Sequence, residues 1–120
     1  MERITNISHK GKSIILIDLS NSLPEETLRT IESGKAVISR SAPKSALVVT
    51  DVTGAKYNKE VAEAIKGFTS FNTPFLKGSA VVGAEGVASV LLQTVIFITR
   101  RELKSFPGRV EAFDWLASLP

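Results

Sequence analysis

The chain has 120 residues, 43% of them hydrophobic, and a net charge of +3. This is one domain's worth of core and excludes a disordered chain. With no cysteine and a single histidine, it cannot form disulfides, cysteine-ligated metal centres or sites built on two histidines.

The opening residues, Met1 to Asn6, lack the cationic-then-apolar order of a signal peptide, so a cytoplasmic setting is expected. Residues 2–8 read as a weak strand, and His9-Lys10-Gly11-Lys12 as a hairpin turn into a strand over 13–19. Ser22-Leu23-Pro24-Glu25 then has the spacing of a capping box, with Pro24 in the first turn of a helix. Leu28, Ile31 and Ile38 would form its buried stripe, with Gly34 beside them. A strand over 45–51 follows, and Asn58 is placed to cap a second helix. In that helix Tyr57, Val61, Ile65 and Phe68 share one face, opposite Lys59, Glu63 and Lys66. Asn72-Thr73-Pro74 stops it before a strand over 75–82.

A third helix follows Gly86. Its apolar stretch, Val87 to Ile98, is shorter than the roughly 20 residues a membrane span needs. Arg100, Arg101 and Lys104 form the one local basic cluster. It reads as a solvated helix end, not as the stripe that nucleic-acid binding requires. A short extended piece around Lys104 to Phe106 precedes Pro107-Gly108 and a last helix, with Val110, Phe113 and Ala117 inward and Trp115 at its rim.

Strands alternating with helices define an α/β layered fold, a single domain over 1–120. The runs 13–18, 46–51 and 79–83 are short, β-branched and almost continuously apolar, as strands covered on both faces are. The expectation is a central, mostly parallel sheet of four to five strands with helices on both faces and an antiparallel N-terminal edge strand.

Open parallel sheets bind ligands at their strand C-termini, which makes Asp18 and Asp51 the first candidate residues. Each also has a simpler role, ending its strand by accepting hydrogen bonds from turn amides. Thr53 follows in Asp51-Val52-Thr53-Gly54. Gly83 and Gly86 bracket a strand-to-helix turn whose amides could cradle an anion, although the Walker and dinucleotide fingerprints are absent. His9 lies in the hairpin turn at the opposite end of the sheet, as a solvated residue and not a catalytic base. Leu92 and Ile96 fall on the third helix opposite the face formed by Val87, Val90, Leu91, Thr94 and Ile98. That makes them candidates for a partner interface or a homodimer, the alternative being that the last helix, with Trp115, folds over them.

The order of elements resembles the SpoIIAA-like branch of STAS domains. So do Leu47-Val48-Val49-Thr50-Asp51-Val52-Thr53-Gly54, the run 79–83 with its apolar helix, and the ending from Phe106 through Glu111-Ala112-Phe113-Asp114-Trp115-Leu116. The resemblance implies a non-enzymatic cytoplasmic domain that binds protein partners or small ligands. Together with the residues it gives the expectation of no cofactor, metal, nucleic acid or membrane span, and of a protein partner, a second copy or a small apolar or anionic ligand. In anti-sigma-factor antagonists of this family a serine at a helix start is phosphorylated. The corresponding stretch here, Tyr57-Asn58-Lys59, holds no serine or threonine. The alternative is a phosphoacceptor or metal-assisted enzyme that uses the acids at the strand C-termini.

Overall fold

The computed structural model describes residues 3–99 and 103–120. Its elements are β1 (Ile4–His9), β2 (Lys12–Asp18), α1 (Pro24–Ile38), β3 (Ala46–Asp51), α2 (Lys59–Asn72), β4 (Leu76–Val82), α3 (Val87–Thr99), β5 (Lys104–Phe106) and α4 (Arg109–Ala117). A 3₁₀ turn at Thr73–Phe75 links α2 to β4. In α3 the described side chains are those of residues 88–94. Of the basic cluster, Arg100 and Arg101 lie outside the described residues, and Lys104 begins β5.

The strands form one sheet in chain order, β1-β2-β3-β4-β5. β1 and β2 pair antiparallel through Lys10-Gly11, whose φ angles of 50° and 79° are those of a primed hairpin turn. The remaining neighbours are parallel. Crossovers of a single hand place every connecting helix on the same side of such a sheet. Accordingly Ile31 and Ile38 of α1, Phe68 of α2 and Ala88 of α3 share a core with Ile15, Ile17 and Val48. No described strand follows α4, and it covers the other face, where Ala112 and Leu116 pack on Ile14, Leu16, Leu47, Val49, Ala80 and Val82. The apolar runs are continuous because both of their faces are covered.

A register shift between Ala46 and Leu47 of β3 leaves Lys77 of β4 without a partner there. This puts Leu76 with the α1–α3 core and Gly78 against the α4 face. A Cβ at Gly78 would lie 2.5 Å from Leu119 Cδ1. Gly34 is also a packing residue. It is buried within α1, and a Cβ there would stand 3.2 Å from Ile17 Cδ1 and the Phe68 ring.

Helix ends depart from the sequence reading in two places. The N-cap of α1 is Leu23, and Glu26 accepts from the Leu23 amide at 3.2 Å. Ser22 instead turns inward, bonding Leu19 O at 2.9 Å and Thr27 Oγ1. In α4, Val110 is 62% exposed, while Ala112 and Leu116 are fully buried. Half-buried Phe113 packs at the edge of that core. His9 is not a solvated turn residue either. It ends β1, meets Asp114 Oδ1 at 2.7 Å through Nε2, and packs on the Phe113 ring.

Candidate functional site

The parallel register of β2 and β3 places Asp18 opposite Asp51, so two carboxylates end adjacent strands. Each closes its own turn. Asp18 Oδ1 accepts from Ser20 N at 2.9 Å and from Ser20 Oγ, and Asp51 Oδ1 accepts from Thr53 N at 2.9 Å. This is the turn-closing role that the sequence suggests. The turns are laced to one another by Leu19 N to Asp51 O and Asn21 N to Thr53 O, both 2.8 Å.

Arg109, the first residue of α4, reaches both acids. Its Nε donates to Asp51 Oδ2 at 2.7 Å, and its Nη2 lies 3.2 Å from Asp18 Oδ1. The Asp51 side chain is 7% exposed, so its charge is met by a guanidinium and an amide, not by water. Burial pushes the Asp18 carboxyl up. The Ser20 hydroxyl and amide, joined by Arg109, outweigh burial and hold it below the ordinary aspartate range. Burial works against the Arg109 charge as well, but its two carboxylate partners raise its pKa further. Arg3 adds a second clamp, donating to the carbonyls of Asp18 and Ser20 at 3.0 and 3.1 Å and pairing with Glu26. Neither arginine is among the candidate residues that the sequence offers.

The other strand-end candidates do not converge on one ligand. Thr53 abuts Gly83, which has a φ of +78° and where a Cβ would collide with Thr53 Oγ1. Gly83 N donates to Phe106 O, so that amide already has its acceptor. Gly86 has a φ of +54°, and nothing stands within 4 Å of a Cβ placed on it. Among the described residues, no group of three or more His, Asp or Glu side chains is arranged to hold a metal. No helix among them is long and apolar enough to cross a membrane.

A second site lies under α2 and α3, on the sheet face away from α4. It is a cavity of about 70 Å³ lined by residues that include Val48 and Thr50 of β3, Ser79 and Val81 of β4, Phe68 and Asn72 of α2, and Ala88, Leu91 and Leu92 of α3. Leu92 therefore faces the interior, contrary to the outward position expected of it, and Val90, expected against the sheet, is 68% exposed. The side chain of Ile96 lies outside the described residues. Tyr57 also lines the cavity, and burial raises its hydroxyl pKa above the usual tyrosine value. Asn72 is 3% exposed, and its Oδ1 has no hydrogen-bond partner.

This geometry defines an α/β domain with a five-stranded mixed sheet. No family model, curated protein or solved structure matches the chain.

Proposed function

We propose that this is a non-enzymatic binding domain, of the SpoIIAA-like kind its element order resembles, that regulates by holding a protein partner or small ligand in a cytoplasmic setting. The observation that carries this reading is the occupation of the strand-end acids by Arg109, at 2.7 Å from Asp51 and 3.2 Å from Asp18. A magnesium ion or an attacking carboxylate would need those oxygens free. Here the cation that neutralises them is part of the chain, and it ties α4 to the sheet. That arrangement favours a scaffold over a phosphoacceptor.

The test is a magnesium and beryllofluoride titration of labelled protein, followed through backbone amide resonances, with intact-mass measurement after incubation with acetyl phosphate. Unmoved Asp18, Asp51 and Thr53 amides and an unchanged mass are expected. Saturable magnesium shifts at Asp51, or a phosphorylated species mapping to Asp51 or Thr53, would replace this reading with the phosphoacceptor one.

A further inference from the structure

A buried polar atom without a partner costs stability, so native proteins rarely leave one. Asn72 Oδ1 is such an atom, and Asn72 is one of the residues that line a cavity whose wall is otherwise largely apolar. Asn72 ends α2, just before the 3₁₀ turn at Thr73–Phe75. Its backbone is thus set by the helix end, and Phe68, Val81 and Leu92 line the same cavity. None of the described residues lining the cavity is charged. A charged ligand would lose its hydration there without compensation.

We propose that this cavity binds a small uncharged molecule that joins an aliphatic body to one hydroxyl or N–H donor, the donor bonding Asn72 Oδ1. The proposal rests on the binding-domain reading and names its ligand class. Size narrows the class further. An apolar cavity of about 150 Å³ takes a benzene ring, so one of 70 Å³ holds roughly three or four heavy atoms. A short-chain alcohol fits both the volume and the unpaired acceptor. The apolar wall supplies most of the affinity, and Asn72 supplies the choice of an alcohol over an alkyl group without a donor.

The probe is 1-propanol, with 1-chloropropane as its donor-free counterpart, titrated into labelled wild-type protein and read through amide resonances. A ligand of four heavy atoms working somewhat below the ligand-efficiency ceiling gives a Kd of about 1 mM. The expected result is saturable shifts confined to the amides around Asn72, Val81 and Leu92, with 1-propanol binding about five- to tenfold tighter than 1-chloropropane, as one added hydrogen bond gives. Asn72→Leu should abolish that preference and melt at a higher temperature than wild type, since it removes the orphaned oxygen. Val81→Phe, which fills the cavity and leaves Asn72 in place, should abolish binding of both probes.

Equal affinity for the two probes in wild type would overturn the role of Asn72. Linear, unsaturated shifts spread over the surface would mean that the cavity holds only water, and would overturn the site. Neither result bears on the strand-end acids. Magnesium binding at Asp51 would instead refute the binding-domain reading, whatever 1-propanol does.

Discussion

Asp51→Asn tests whether the strand-end acids serve the fold through Arg109. The amide keeps an oxygen for Thr53 N–H but presents an NH₂ where Oδ2 now meets Arg109 Nε at 2.7 Å. If closing the turn were the whole role of Asp51, the cost would be about 1 kcal/mol or less. A hydrogen bond between charged groups contributes about 1.5–3 kcal/mol, and breaking a fully buried pair costs about 3–5 kcal/mol. The Arg109 side chain is 37% exposed and keeps Asp18 as a partner, so water screening brings the expected loss to about 2 kcal/mol. For a domain of this size that is a drop in Tm of about 8 °C. Arg109→Met removes the cation and keeps most of the stem, and should cost a similar amount. Urea denaturation of both single variants and the double variant completes the cycle. Because each change destroys the same contact, the double variant should be about 1–2 kcal/mol more stable than the sum of the singles predicts. Losses that add to within about 0.5 kcal/mol would refute the clasp as an energetic unit.

Acid stability gives a second check. The Asp18 carboxyl is held below its ordinary value of 3.8, so its contribution is present above about pH 4 and is lost as pH falls through the lowered folded value. Melting curves of Asp18→Asn should accordingly be less sensitive to pH below about 4 than those of wild type, and parallel curves would remove the pair from the account. Gly83→Ala forces a Cβ into Thr53 at a φ of +78°, and should cost about 2 kcal/mol by denaturant titration; an unchanged midpoint would mean that the turn relaxes freely. Leu92→Glu puts a carboxylate into a cavity lined, among the described residues, by no charged side chain, for a loss of about 2–4 kcal/mol. Circular dichroism with light scattering reads it, and a variant of wild-type stability but altered mass would return Leu92 to the outer face.

Element order is legible in this chain because its punctuation is local. Pro24, Asn58, Thr73-Pro74 and Pro107-Gly108 stand within two residues of element ends, and Asn58 Oδ1 accepts from Val61 N at 2.8 Å as a capping residue should. The turn-closing acids are legible for the same reason, since each bonds an amide two residues on. The phase of α3 is not. Among its described residues only Ser89 and Gln93 make a short polar strip, which lies between Leu92 and Val90 and does not show which of the two turns inward. The cavity is harder still to read, because a void is set by how α2, α3 and the sheet meet, and an unpaired Asn72 looks like any other helix-ending asparagine.

Arg109 marks the boundary between the two kinds of information. It stands 58 residues from Asp51, and nothing local announces the pairing. Yet α4 does carry a clue to its own rotation. Arg109, Ala112, Phe113 and Leu116 recur at i, i+3, i+4 and i+7, a single helix face. Ala112 and Leu116 on that face are fully buried, and Phe113 packs at their edge. Choosing Val110 as the start of the inward stripe discards the arginine, and the structure leaves Val110 62% exposed. A face that begins with a cation and continues with a fully buried alanine needs an anion where the helix meets the sheet, because a guanidinium at the edge of a core requires a partner. Asp18 and Asp51, already placed at strand ends by the apolar runs before them, supply it. The last helix is thus oriented by its polar first residue as much as by its apolar ones.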